Sequence, residues 1–258
     1  MLNKAIKEME EMEEREDENR IPKNLVKVKF ENGLTLAYFS DLPEIKAGDV
    51  VTVDGKMEDE IAVVVKVLSS FKKPKFDMKW IVSKIDNDIT GNYFKIEDDV
   101  ASIELNLTVD KFMNIYAGVK YKENIAVGDE DIELELNELE ESELFEEEIK
   151  HRGRSLYKSN AVQFIWFKDG EGKAVVRSAN GCDWYEIDFR YKNGKITYIA
   201  CDCPYFGECK HLYAFLLKFK NFRKKLFDKC QSDNFVMCRK ECFNYIMLYG
   251  KGRVAIEL

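Results

Sequence analysis

No apolar run in this chain approaches the length of a membrane span; IAVVVKVL, at 61–68, is strand-sized. The N-terminal MLNKAIKEMEEMEERED lacks the apolar stretch of a secretory signal, so a cytoplasmic location is expected. Seven cysteines, an odd number, in such a compartment argue against a disulfide framework. Histidine is nearly absent, with only His151 and His211. The sequence also contains no Gly-x-x-x-x-Gly-Lys-Ser/Thr phosphate loop and no Gly-x-Ser-x-Gly nucleophile turn. These absences remove the common routes to nucleotide hydrolysis and acyl transfer.

What is present is concentrated in eleven residues, CDCPYFGECKH at 201–211. Cys201, Cys203, Cys209 and His211 have the spacing C-x-C-x5-C-x-H, three thiolates and an imidazole within reach of one point. That soft, four-coordinate N/S set suits structural Zn2+, one per chain, and leaves no corner for a catalytic water. The local pattern supports it. ITYIA, at 196–200, reads as a strand after a turn, and residues two apart on an extended chain share a side, so Cys201 and Cys203 can face one ion. Pro204 stops the strand and Gly207 turns the chain. From Cys209 the spacing of Leu212, Phe215, Leu216, Phe219 and Phe222 predicts a helix. A thiolate in its first turn gains from the positive end of the helix dipole. The competing readings are three cysteines used as small buried hydrophobes, redox chemistry, or two of them in a disulfide.

The stretch resembles the SWIM zinc finger, whose signature is C-x-C-xn-C-x-H on a ββα unit. ELFEEEIKHRGRSLYKSNAVQFIWF, at 143–167, is similar to the helix, Arg-Gly-Arg turn and strand that often precede the finger in bacterial members. AVVRSANGCDWYEIDFRY, at 174–191, is similar to its first hairpin, with Trp184, Tyr185, Ile187 and Phe189 on the second strand. The likeness spans about residues 142–229. It implies Cys201, Cys203, Cys209 and His211 as zinc ligands, and DNA or protein as the bound partner.

Elsewhere the sequence divides by composition. Residues 1–20 read as a short acidic helix ended by Pro22. Residues 21–128 read as a β-rich domain, a small barrel or curled sheet, with Asn32-Gly33 between two alternating runs as a hairpin signal. Within it, TVDKFMNIYAGVKY suggests a helix stopped at Gly118. Residues 129–148 hold twelve acids and no Lys or Arg; 129–141 is expected to be a solvated acidic linker, with an acidic surface that docks the basic half or mimics nucleic acid as the alternative. Residues 142–229 would be the finger domain, its first helix capped by Ser142 and turning Leu144, Phe145 and Ile149 inward. Residues 230–258 would form a helical tail packed on the finger, with Cys230, Cys238 and Cys242 as packing residues. The expected fold class is therefore α+β.

Charge is uneven. Residues 151–258 carry 20 Lys+Arg against 11 Asp+Glu, net +9, and residues 1–150 carry 20 against 37, net −17. The basic residues Arg152, Arg154, Lys210, Lys218, Lys220, Arg223, Lys224 and Lys225 form a candidate phosphate-binding face. An amphipathic helix with an ordinary solvated lysine face gives the same pattern. His151 reads as a solvated helix-end residue, and Asp183, Glu186 and Asp188 as turn and surface acids. The expectation is a non-enzymatic zinc-binding recognition or adaptor protein. Its expected partner is DNA or a DNA-processing assembly, with a protein-binding scaffold as the alternative.

Overall fold

The Asn32-Gly33 turn sits where the alternating runs required it. Gly33 adopts φ +86°, a left-handed conformation that costs a glycine little, and the Asn32 Oδ1 accepts the Leu34 amide at 2.9 Å. It joins β1 (Asn24–Phe30) to β2 (Thr35–Ser40). The computed structural model describes residues 20–117, 127–129 and 132–256, apart from 59, 73, 75, 76, 182, 206, 231 and 253. The expected acidic helix at 1–20 lies almost wholly outside them, as does the expected stop at Gly118.

Contacts divide the chain into two units. The first ends at Asp86 and contains β1, β2, β3 (Val50–Val53), β4 (Ile61–Leu68) and β5 (Ile81–Lys84). They form one antiparallel sheet in the order β2-β1-β4-β3-β5. Val26, Val28, Phe30, Val51, Val53, Ala62, Val64 and Ile81 bury its inner face. The outer strands meet at a single parallel bridge, Phe39 to Trp80.

The second unit comprises 87–117 and 121–258. Its elements are β6 (Gly91–Ile96), β7 (Asp99–Ser102), α1 (Val109–Phe112, continuing as a π-turn to Ala117), β8 (Val127–Asp129) and β9 (Leu134–Glu135). A 3₁₀ turn (Leu136–Glu138), α2 (Glu147–Lys158), β10 (Val162–Lys168), β11 (Glu171–Arg177), β12 (Trp184–Lys192) and β13 (Lys195–Cys201) follow. The unit ends with α3 (Lys210–Cys230), β14 (Phe235–Arg239), α4 (Lys240–Tyr249) and β15 (Val254–Ile256). The strands make one large sheet, β15-β6-β7-β14-β10-β11-β12-β13-β8, with β9 also on β13. Every pairing is antiparallel except β15 with β6.

Strand β10 shows how the sheet is covered. Phe164 and Phe167 are three apart and point to opposite faces. Phe164 stacks on Phe112 at 4.7 Å, and Phe167 meets Phe219 of α3 edge-on at 5.2 Å. Both faces are occupied, which explains why β10 reads as a nearly continuous apolar run. On α3, the residues predicted from helical spacing are buried as a stripe, and Phe219 also meets Phe189, Tyr191, Phe215 and Phe235.

Four expectations are corrected here. The division between units falls at Asp86/Asn87, not near 128, because β6 and β7 pair into the second sheet through β14. The acidic segment is not a solvated linker: Ile132, Leu134, Leu136 and Leu139 are buried in the second unit's core while the acids between them stay outside. Helix α2 begins at Glu147 rather than after Ser142, whose Oγ accepts the Leu144 amide at 3.2 Å. Phe145 is buried against Tyr213, at 5.2 Å, and Glu146 keeps extended backbone angles, so the helix starts only after them. The tail, finally, is not simply helical. Its β14 enters the sheet between β7 and β10, Phe235 reaches Phe219 and Phe222, and α4 packs on β14, β7 and the π-turn. Cys238 on β14 and Cys242 on α4 are buried, Cys242 Sγ lying 3.6 Å from Gln163 Oε1.

Candidate metal centre

The β13 ladder carries Cys201 into position opposite Ile187 of β12. The Asp202 amide extends that ladder by donating to the Glu186 carbonyl at 3.1 Å, so Cys203 is still guided by the sheet edge. Gly207 at φ +98° reverses the chain, and Cys209 and His211 then lie at the start of α3. The ligand atoms of Cys201, Cys203, Cys209 and His211 all lie within 4.8 Å of one another, and all four residues are buried. The four residues named from spacing are thus brought together at the joint between a strand end and a helix start.

Two observations bear on whether a cation fits between them. His211 Nδ1 lies 3.7 Å from Cys209 Sγ, a poor hydrogen bond, and its Nε2 is buried without any partner. A buried imidazole so weakly satisfied is costly unless one nitrogen serves another purpose, and ligation is the purpose its neighbours suggest. The sulfurs give the second observation. Hydrogen bonds from Cys201 and Cys209 hold the Cys203 thiol far below its ordinary range. Sharing that hydrogen bond with Cys203, and another with Cys209, drives Cys201 far above it. Three thiols packed this closely cannot all ionise against one another without positive charge among them. A divalent ion supplies that charge, and with three sulfurs and one nitrogen the set matches zinc. Bound there, zinc would cross-link β13 to α3.

The surroundings hold the set in place. The Leu212 amide hydrogen-bonds the Cys209 sulfur, and the Tyr185 ring lies 4.5 Å from the His211 ring. Gly153, in the middle of the Arg-Gly-Arg sequence, lets α2 press onto the first turns of α3. A Cβ there would stand 2.8 Å from Tyr213 Cβ and 3.0 Å from the Lys210 carbonyl oxygen. Alanine in place of a helical glycine normally adds about 1 kcal/mol of helix stability, but forcing two helices apart costs roughly 1–3 kcal/mol. The contacts here are with backbone and Cβ, which cannot swing aside. Gly153→Ala is therefore expected to lower thermal stability by a few degrees; an unchanged or higher Tm in calorimetry would show that the helices have room.

The eight basic candidates do not form an open face. Lys218 is bound to Asp99, Lys225 to Glu97 at 2.7 Å, and Arg223 to Asp233 at 2.7 Å while lying over the Tyr191 ring. Arg154 is bound to Glu140, and Lys220 reaches the Asn137 carbonyl at 3.4 Å. Arg152 approaches only Glu148, at 3.8 Å, and Lys210 and Lys224 make no ion pair among the described residues. Of the carboxylates considered for catalysis, Glu186 and Asp188 both hold Lys173, the latter at 2.9 Å, and Asp183 accepts from Asn180 at 2.9 Å.

Sequence reasoning missed Tyr185 as the partner of His211, Gly153 as the close-approach point, and the acids Glu97, Asp99 and Glu140. Only Gly153 carried a local signal, the Arg-Gly-Arg sequence, which the family resemblance placed in a turn and the structure places inside α2. Among the described residues no helix is long and apolar enough to cross a membrane. Comparison with known protein families, curated proteins and solved structures gives no match to this chain.

Proposed function

We propose that this chain is a non-enzymatic recognition protein. In this reading its second unit is built around a structural zinc site of SWIM type and binds a protein partner. The observation that carries the reading is the closed Cys201, Cys203, Cys209 and His211 set at the β13–α3 joint, which has no corner left over for a reacting ligand. In this reading the zinc sets the angle between sheet and helix, and the five-stranded sheet of the first unit closes into a small barrel at its Phe39–Trp80 bridge.

The pairing of five of the eight basic candidates with groups of their own unit favours a protein partner over DNA. Phosphate contacts release counterions, at about 0.9 in the logarithmic salt slope for each phosphate neutralised. A face of eight open cations would give a slope near −7, whereas Arg152, Lys210 and Lys224 alone allow no more than about −3. The expected outcome of titrating labelled duplex DNA at rising salt is weak binding with that shallow slope. Recovery of native partners from lysate is expected to be insensitive to nuclease. A slope of about −6 or steeper, with partner recovery abolished by nuclease, would return DNA to first place.

A further inference from the structure

A cavity of about 170 Å³ opens at the metal centre and extends beyond the ligands that form part of its wall. Ile149 and Arg152 of α2, Tyr185 of β12, Pro204 and Tyr205 of the connecting turn, and Lys210 of α3 line it beside the ligands Cys203, Cys209 and His211. Two cations, Arg152 and Lys210, are among its walls. Lys210 has no ion pair among the described residues. Arg152, half exposed, has only the 3.8 Å approach of Glu148, a surface pair of little worth. Gly153 brings the backbone next to Arg152 against the Lys210 carbonyl, so the two cations belong to helices in direct contact. The other walls, Ile149, Pro204 and the two tyrosine rings, are apolar or aromatic.

We propose that this pocket binds the end of a partner peptide: an apolar side chain against Ile149, Pro204 and the tyrosines, and its carboxylate at Arg152 and Lys210. Size selects among occupants. Sites for whole small molecules run to roughly 300–1,000 Å³, so this cavity holds one side-chain-sized group and not a nucleotide or cofactor. Charge selects among groups of that size, since Lys210 and the weakly paired Arg152 among the walls favour a carboxylate, and the guanidinium can bind it through two parallel N–H donors. This deepens the protein-recognition reading and rests on it.

The test uses the full, zinc-loaded chain and N-acetyl-leucine, which has the apolar side chain and carboxylate of a peptide end. Its amide, N-acetyl-leucinamide, and inorganic phosphate are the controls. NMR titration is expected to shift the Tyr185 and Tyr205 ring signals with the acid, and to require at least ten times more amide for the same shift. The Arg152→Gln/Lys210→Gln double variant, which leaves every ligand in place, is expected to keep its zinc and its Tm and to lose the acid response at least tenfold. Equal response to acid and amide, or an undiminished response in the double variant, overturns the assignment. Phosphate binding tighter than the acid overturns it also, in favour of a phosphorylated ligand. If native protein partners still co-purify with the double variant, the recognition reading stands and this pocket is not its site.

Discussion

Cys203→Ser is expected to strip the protein of zinc and to unfold the joint between β13 and α3. Purified wild type should contain one zinc per chain by elemental analysis, and the variant none. The size of the effect follows from what the ion replaces. Zinc binding in isolated finger peptides amounts to about 10–16 kcal/mol and is the whole of their folding energy. Here α3 also buries Leu212, Phe215, Leu216, Phe219, Phe222 and Leu226, so the unit retains a core without the metal. The variant nevertheless keeps Cys201 and Cys209 packed beside a buried His211 with no cation to reconcile them. A loss of at least about 4 kcal/mol is expected, and for a unit of this size that lowers Tm by roughly 10 °C or more. Hydrogen exchange should localise the damage, with β12, β13 and the first turns of α3 losing protection while β1 to β5 keep theirs. A chelator should reproduce the result in wild type. Wild-type protein that carries no metal, with protection at β13 unchanged by chelator, would remove zinc from the account of this fold.

The ligand set was legible because everything that assembles it is local. Cys201 and Cys203 share a strand face, Pro204 and Gly207 turn the chain, and Cys209 and His211 open a helix whose apolar stripe is visible at Leu212, Phe215 and Phe219. The Asn32-Gly33 hairpin was legible for the same reason. What was not legible depends on partners distant in sequence. Nothing near β7 signals that β14, some 130 residues later, will take its place between β7 and β10, so the division at Asp86/Asn87 could not be located from composition. In the acidic segment the apolar alternation of Ile132, Leu134 and Leu136 was present, but the surrounding charge dominated the reading. That charge is tolerated because Lys195 approaches Glu133 at 3.1 Å and Glu135 at 3.8 Å, while Arg154 and the Tyr213 hydroxyl hold Glu140. The basic stripe of α3 was likewise read without its counterions, since Asp99 and Glu97 lie 119 and 128 residues from Lys218 and Lys225. Charge pattern along a helix reports which residues are polar; only the fold reports which of them are already occupied.

Asp99→Ala is the sharpest consequence of that occupation, and it is expected to destabilise the second unit by about 3–5 kcal/mol. Asp99 is buried at the start of β7, with its Oδ2 on Lys218 of α3 and its Oδ1 accepting Arg239 Nη1 of β14 at 2.8 Å. Arg239 is itself buried, and its Nε has only a distant second acid, Glu241 at 3.8 Å. Removing the carboxylate leaves two cations enclosed by α3, β7 and β14 with no anion between them, which costs far more than the pair ever contributed. In thermal unfolding the variant should fall by roughly 10 °C, and a second change should recover much of it. The triple variant Asp99→Leu/Lys218→Met/Arg239→Met removes all three charges and fills similar volume, so it should return to within about 2 kcal/mol of wild type. Lys218→Ala separates the structural role from the one its place on a basic helix suggested. A phosphate contact would weaken DNA binding and leave Tm in place. Here Tm is expected to fall, because Asp99 loses a partner, while the salt slope for DNA stays the same. An unchanged Tm with a slope shallower by about 1 would mean that Lys218 leaves Asp99 to meet phosphate, and that the α3 face is a nucleic-acid surface after all.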